Sequence, residues 1–194
     1  MDNSYPQCES YMKIFTSNPK DEFINYQSEI ETKVLEVLRS GSYILGNELD
    51  IFENSFKQYL GSKYSIGVAN GTDALEIALR ALDIGPGDEV ITVSHTAVAT
   101  VSAILATGAK PVLIDIEEDF YTLDSSKLLE NYSKNTKAVI AVHLYGFAAP
   151  IEEIKKIANY NNIFLIEDCA EAIGTTVKEK HVGNFSDIST FSFY

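Results

Sequence analysis

Two short polar segments of this sequence carry side chains suited to holding a charged ligand. The first, Asn70-Gly71-Thr72-Asp73-Ala74, lies between an apolar run and a segment of helical periodicity. Glycine permits a tight turn at this point, and Thr72 is a favourable helix N-cap. Because backbone N–H groups at a helix N-terminus attract anions, Gly71, Thr72 and Asp73 are candidate phosphate-binding residues. The alternative is a well-capped turn that binds nothing.

The second segment, Glu167-Asp168-Cys169-Ala170, directly follows another strongly apolar run. This position predicts that Asp168 lies at the carboxyl end of a buried strand, where open α/β sheets bind ligands. A carboxylate there can pair with the protonated nitrogen of a pyridine ring. The pairing would keep the ring positive, so that the ring withdraws electrons from a reacting carbon. The alternatives are a helix cap and a structural ion pair.

Three histidines complete the candidates for chemistry, and they are widely separated. None of His95, His143 and His181 is followed two to four positions later by a second metal-ligating residue. A metal site built from them and Cys169 therefore has weak support, and we predict no metal site. His95 and His143 each follow an apolar run, which predicts that they share a sheet edge with Asp168. Either ring could pack on a planar cofactor or be a structural histidine.

The elements that must position these residues alternate between apolar runs and amphipathic segments. Residues 1–20 are polar and aperiodic, which indicates an arm or loop. The spacing predicts helices over Asp21–Arg39, Glu48–Leu60, Thr72–Leu82, Thr96–Ala106, Ser125–Glu130 and Ile151–Tyr160. It predicts strands over Ser65–Val68, Glu89–Val93, Pro111–Ile114, Ala138–Val142 and Ile163–Ile166, and near Gly174–Val177 and Ile188–Phe191. Strands that are apolar on both faces and alternate with helices indicate an α/β fold, with a mainly parallel sheet flanked by helices.

Composition narrows the class of protein and its partners. A chain of 194 residues is long enough for one domain with a substantial core. Its net charge of −13, with scattered lysines and arginines, argues against a nucleic-acid partner. No apolar run reaches the roughly 18 residues of a membrane span, and the first residues do not resemble a secretory signal. Two cysteines in dissimilar contexts predict no disulfide framework and a cytoplasmic location.

From about Asp21 to Tyr194 the chain resembles the DegT/DnrJ/StrS family of sugar aminotransferases, which depend on pyridoxal 5'-phosphate (PLP). Each matching motif is weak alone, but six occur in the family's order and with family-like spacing. The motifs are Gly41-Ser42-Tyr43-Ile44-Leu45-Gly46, Ala69-Asn70-Gly71-Thr72-Asp73-Ala74-Leu75, Gly85-Pro86-Gly87-Asp88-Glu89-Val90, Val142-His143-Leu144-Tyr145-Gly146, Glu167-Asp168-Cys169-Ala170 and Phe191-Ser192-Phe193-Tyr194.

The resemblance implies an aspartate-aminotransferase-like fold (fold type I) and about half of a usual family member. Residues 1–40 would form an N-terminal arm and helix. Residues 41–194 would form the N-terminal part of the PLP-binding large domain, incomplete at the C-terminus and without the small domain. The implied reaction transfers an amino group, commonly from glutamate, to a keto group of a nucleotide-linked sugar. Family members are usually homodimers.

The resemblance also implies roles for single residues. Gly71, Thr72, Asp73 and the hydroxyl of Ser192 would hold the phosphate of PLP. Asp168 would bind the pyridine nitrogen and is the catalytic residue expected within this chain.

Two positions depart from the family pattern. Glu171 stands where a glutamine usually touches the ring hydroxyl of the cofactor. A carboxylate would repel that oxygen unless it is protonated, so either the cofactor electronics differ or Glu171 points elsewhere. Ala97 stands where many members have an aromatic residue that stacks on the ring. Our hypothesis is that His95 takes its place.

The lysine that carries the cofactor in this family is expected three positions after Tyr194, outside this sequence. We therefore expect the 194-residue chain alone to be inactive. The alternative within the family is a non-catalytic remnant that binds PLP or acts in regulation. A generic nucleotide-binding α/β domain is a third interpretation.

Overall fold

The computed structural model of the protein describes Phe15 and residues 17–193. Most of the predicted N-terminal arm therefore lies outside the described residues. The chain divides into two compact units, one up to Ile51 and one from Phe52 onward. The helices are α1 Pro19–Ser40, α2 Asn47–Leu60, α3 Gly71–Ala81, α4 Val98–Thr107 and α5 Ile151–Asn161. The strands are β1 Glu89–Val93, β2 Lys110–Ile114, β3 Thr136–Val142, β4 Phe164–Asp168, β5 Thr176–Val177, β6 Lys180–His181 and β7 Ile188–Thr190.

The first unit is dominated by α1. Pro19 begins this helix at a position where its missing N–H costs nothing, and Gly41 ends it in the left-handed conformation, with φ of 71°. The backbone departs from helical angles at Tyr26, where φ is −115°. The helix therefore has a kink within its first half.

The second unit is built on a five-stranded sheet in the order β2-β1-β3-β4-β7, and all four pairings are parallel. Ala138 to Val142 of β3 pair in register with Phe164 to Asp168 of β4. The last pairing of β4 with β7 joins Asp168 to Thr190. Since parallel strands end at a common edge, the residues that follow β1, β3, β4 and β7 gather there.

The core of this unit explains why these strands form. Strands β1, β3 and β4 are buried at nearly every position, as expected for a parallel sheet covered by helices on both faces. Helices α3 and α4 pack against each other, while α5 packs on β3 and β4. Among the described residues, no helix combines the length and the apolar character that a membrane span requires. Buried core side chains include Leu75, Leu79, Val90, Ile91, Ile104, Ile140, Ile154 and Ile166.

Three predicted elements differ from the structure. The strand predicted over Ser65–Val68 is wrong, since no described strand pairs with this segment and Ile66 is 79% exposed. The N–H of Gly67 instead donates to the carboxylate of Glu53 at 2.6 Å. An apolar run becomes a strand only beside a partner that receives its backbone hydrogen bonds.

The helix predicted over Ser125–Glu130 is also wrong, because only a 3₁₀ turn over Ser125–Lys127 forms. The carboxylate of Asp124 accepts both the N–H and the hydroxyl of Ser126, a local bonding pattern that competes with a continuing helix.

The segment near Gly174–Val177 contributes only β5. This strand pairs antiparallel with β6 and is separate from the main sheet.

Candidate functional site

The N-terminus of α3 forms the first wall of the candidate site. The structure corrects the predicted cap: Asn70, not Thr72, is the N-cap, and its side-chain oxygen accepts the N–H of Asp73 at 2.9 Å. Gly71 and Thr72 are therefore the first two helical residues. The first N–H groups of a helix have no partner within it, so this end of α3 presents donors and a partial positive charge.

Ser192 lies directly against this helix end. A Cβ atom added to Gly71 would be 3.1 Å from the Cβ of Ser192 and 3.3 Å from its Oγ. Any larger residue at position 71 would therefore push the two segments apart. Glycine allows Ser192 and the helix N-terminus to approach each other closely, and a hydroxyl beside a helix N-terminus suits a phosphate group.

Asp168 lies at the carboxyl end of β4 and is only 5% exposed. Its Oδ2 accepts the hydroxyl of Thr100 at 2.9 Å, and its Oδ1 accepts the N–H of Ala170 at 3.2 Å. Burial raises the pKa of Asp168 above its ordinary value, although these two hydrogen bonds oppose the rise. The carboxylate is therefore short of compensating charge, and a cationic ligand would supply it.

The two parts of the site are neighbours in the sheet. Asp168 pairs with Thr190 of β7, and Ser192 follows two residues later. Helix α3 contacts β7, which places Gly71 against the same strand end. The N-terminus of α3 with Ser192 and the buried carboxylate of Asp168 thus lie at one edge. These residues would fit a ligand that has a phosphate at one end and a cationic ring at the other.

Glu167, the neighbour of Asp168, belongs to a different network. Its carboxylate accepts the N–H groups of Gly183, Phe185 and Ser186 at 2.7 to 2.9 Å. It also contacts Nε2 of His143 at 3.1 Å. Burial alone would raise the pKa of Glu167, but these hydrogen bonds outweigh it and hold the pKa below its ordinary value. This carboxylate is satisfied by the protein itself.

His143 is a structural residue in this network. Its Nδ1 accepts the N–H of Ala149 at 3.0 Å, so Nε2 carries the proton that faces Glu167. Side-chain atoms of His143, Glu167 and Cys169 lie within 4.8 Å of one another. Both ring nitrogens and the carboxylate are already hydrogen-bonded, and burial raises the pKa of the Cys169 thiol well above its ordinary value. These hydrogen bonds indicate that His143, Glu167 and Cys169 form a buried structural cluster.

His95, Tyr145 and Glu171 form a more exposed group at the same edge. The hydroxyl of Tyr145 lies 3.4 Å from Nε2 of His95, and their ring centroids are 5.9 Å apart. Tyr145 has a left-handed backbone, with φ of 55°, which is strained for a residue with a side chain. Its N–H donates to Oε2 of Glu171 at 3.0 Å. We expected Glu171 either to change the electronics of the cofactor or to point elsewhere. In the structure its carboxylate is hydrogen-bonded to the turn at Tyr145.

A family model matches most of this chain. The DegT/DnrJ/EryC1/StrS aminotransferase family model matches residues 25–194. The chain belongs to this family. Its sheet is that of a fold type I aminotransferase, as predicted.

Individual family members are similar over most of this chain. The dTDP-3-amino-3,6-dideoxy-alpha-D-galactopyranose transaminase of Aneurinibacillus thermoaerophilus is 48% identical over 88% of this chain and 47% of its own length. The structure of Streptomyces venezuelae DesV in complex with a ketimine intermediate is 39% identical, with a TM-score of 0.89, over 91% of this chain and 48% of DesV.

A putative sugar aminotransferase of Streptococcus pneumoniae, in its PLP form, is 30% identical, with a TM-score of 0.81, over 84% of this chain and 45% of its own. The chain thus spans about half the length of these relatives.

Sequence reasoning missed two residues that complete the site. Thr100 lies four positions after Thr96 within the predicted helix Thr96–Ala106, and this spacing was a usable sequence signal for two neighbouring hydroxyls, although in the structure Thr96 precedes α4. Tyr145 gave no such signal, because tyrosine rarely adopts a left-handed backbone.

Proposed function

We propose that the gene product containing this chain is a PLP-dependent aminotransferase that acts on the keto group of a nucleotide-linked sugar. The observation that carries the proposal is the close contact of Gly71 with Ser192 at the sheet edge that also holds buried Asp168. PLP, when bound, supplies a ring that stabilises negative charge on the carbon that gains or loses a proton.

The residues of this chain would bind and tune that group. The first N–H groups of α3 and the hydroxyl of Ser192 would hold the phosphate and fix the register of the ring. Asp168 would hold a proton on the ring nitrogen, because an ion pair in a buried setting stabilises the charged form of both partners. The cationic ring would in turn relieve the desolvation of the carboxylate.

His95 and Tyr145 would line the outer side of the site. Both are exposed at the strand ends, and their rings form an edge-on pair. We propose that His95 contacts the cofactor ring in place of the aromatic residue that Ala97 does not provide. Glu171 would act by holding the Tyr145 turn.

The proposed substrates follow the relatives. We propose a dTDP-linked keto-deoxyhexose as amino acceptor, since the transaminase above is named for a dTDP-linked 3-amino-3,6-dideoxyhexose, the amino sugar that amination of such a keto sugar would give. We propose glutamate as donor and a homodimer in the cytoplasm as the working form. The alternative is a protein of the same family that binds PLP without turnover.

The test uses the full gene product that includes these residues. Purified protein is titrated with PLP and followed by absorbance, and then assayed with glutamate and a dTDP-linked 3-keto-6-deoxyhexose by mass spectrometry of the sugar product. We expect saturable PLP binding and a mass change corresponding to replacement of the keto oxygen by an amino group. Binding without any amino transfer to a panel of keto sugar nucleotides supports the alternative.

Matched serine variants sharpen this test. Ser192→Ala should weaken PLP binding about tenfold, as expected for loss of one hydrogen bond to a phosphate. Ser186→Ala, whose hydroxyl donates to the carbonyl of Ile188, serves as the control and should not change PLP binding. Equal affinity of both variants and the parent protein would remove Ser192 from the site.

A further inference from the structure

Three side chains form a continuous hydrogen-bonded row that ends at Asp168. Oγ1 of Thr96 lies 2.9 Å from Oγ1 of Thr100, and Oγ1 of Thr100 lies 2.9 Å from Oδ2 of Asp168. The row connects the loop after β1, the first turn of α4 and the end of β4. Thr100 and Asp168 are 68 residues apart in sequence, so only the fold brings them together.

The direction of these bonds follows from the number of protons. An ionised carboxylate only accepts, so the hydroxyl proton of Thr100 points to Asp168. Each hydroxyl has one proton, and Thr100 has therefore none left for Thr96. Thr96 must donate to Thr100. The row is polarised along its length, and each donation strengthens the next.

Burial makes the row important for the carboxylate. Thr100 is fully buried and Asp168 is nearly so. Among the described residues, the N–H of Ala170 is the other donor to this carboxylate, and it donates to the opposite oxygen. Thr100 therefore fixes which way the carboxylate faces and helps it to stay ionised in a poorly solvated place.

We propose that Thr100, supported by Thr96, is a positioning residue that holds Asp168 ionised and oriented toward the ring nitrogen of the cofactor. This inference rests on the proposed function, because it assumes that PLP binds at Asp168. It assigns a role to two residues of this chain that neither touch the phosphate nor react. Their effect passes through a single atom of the ligand, the pyridine nitrogen.

The test compares PLP with 1-deaza-pyridoxal phosphate, in which a carbon replaces the ring nitrogen. Both affinities are measured by fluorescence titration on the full gene product. We expect Thr100→Val to weaken PLP binding about tenfold and to change binding of the deaza analogue less than about twofold. Thr100→Ser should restore PLP binding, since it keeps the hydroxyl.

The control is Thr107→Val, a second threonine of α4. Its hydroxyl is also buried but donates to the carbonyl of Ile104, away from Asp168. It should leave both affinities unchanged. Thr96 is half-buried and lies at the far end of the row, which Thr96→Val tests. This variant should reduce PLP affinity about threefold and, as in Thr100→Val, should change the affinity for the deaza analogue less. It provides the answer if Thr100→Val does not fold.

The outcomes separate this inference from the proposed function. If Thr100→Val lost affinity for PLP and for the deaza analogue equally, Thr100 would have a structural role only and the inference would be overturned. The proposed function would still stand, provided that the parent protein bound PLP. Unchanged PLP affinity in both Thr100→Val and Thr96→Val would also overturn the inference. If the parent protein bound neither compound, the cofactor assignment and this inference would both fall.

Discussion

Two adjacent carboxylates at the end of β4 lie in opposite environments. Successive side chains of a strand point to opposite faces, so Glu167 and Asp168 enter different regions. Glu167 receives three backbone N–H groups and a histidine, which hold its pKa low. Asp168 receives two donors, and burial raises its pKa. The protein supplies more hydrogen-bond donors to Glu167 than to Asp168, so two residues that are adjacent in sequence have different surroundings.

The largest expected effect is on the Glu167 side. Glu167→Ala should lower the free energy of unfolding by about 3 to 5 kcal/mol, because it removes one partner of a buried polar network and leaves backbone N–H groups unsatisfied. Urea denaturation measures this change. Glu118→Ala, at an exposed glutamate, is the control and should stay within about 0.5 kcal/mol of the parent. A small loss at Glu167 would remove the distinction between the two carboxylates.

A smaller effect is expected at the phosphate end of the Asp168 region. Gly71→Ala places a Cβ atom 3.1 Å from the Cβ of Ser192, so the two segments must move apart. We expect a cost of about 1 to 3 kcal/mol, seen as lower PLP affinity in a titration. Gly85→Ala is the control, since its nearest neighbour would be the carbonyl oxygen of Thr107 at an ordinary 3.6 Å. Equal affinities for the two variants would contradict the close contact.

Acid should affect the two carboxylates with opposite sign. The pKa of Glu167 is lowered on folding, so its stabilisation is present above about pH 4.3 and is lost as pH falls through its folded-state pKa. The pKa of Asp168 is raised, so between its ordinary value of about 3.9 and its folded-state value acidification favours the folded form. Urea denaturation of the parent protein, Glu167→Gln and Asp168→Asn from pH 3 to 7 measures how the free energy of unfolding depends on pH. The difference between the parent protein and each variant gives the slope that belongs to each carboxylate. Slopes of the same sign would refute the contrast.

The smallest expected effect on stability is at Asp168 itself. Asp168→Asn removes a desolvated charge and keeps an oxygen that accepts a hydrogen bond, so without ligand the free energy of unfolding should change by less than about 1 kcal/mol. Thermal unfolding without PLP provides the measurement. A loss as large as that of Glu167→Ala would mean that Asp168 is a structural residue, as in the ion-pair alternative.

Much of the fold followed from apolar patterning. Periodicity predicted β1, β3, β4 and α3 closely, since these elements are buried in a way that their own residues reveal. Ser65–Val68 failed because a strand also depends on a neighbour, and local sequence does not contain that information. Helix-end and strand-end rules likewise pointed to Gly71 and Asp168.

What the sequence could not predict were directions of side chains. The rotation of α4 decides that Thr100 meets Asp168, and nothing local fixes that rotation. Glu171 bonds to the Tyr145 N–H because that turn adopts a left-handed backbone, which the residue type does not favour. Such contacts depend on tertiary packing, and only coordinates reveal them.

The protonation state of the ring nitrogen in PLP bound to the full gene product decides whether Asp168 has the proposed role. Nitrogen-15 NMR of labelled PLP distinguishes a protonated from an unprotonated pyridine. We predict a protonated nitrogen in the parent protein at pH 8, and an unprotonated one in Asp168→Asn. The same chemical shift in both proteins would show that Asp168 does not hold that proton.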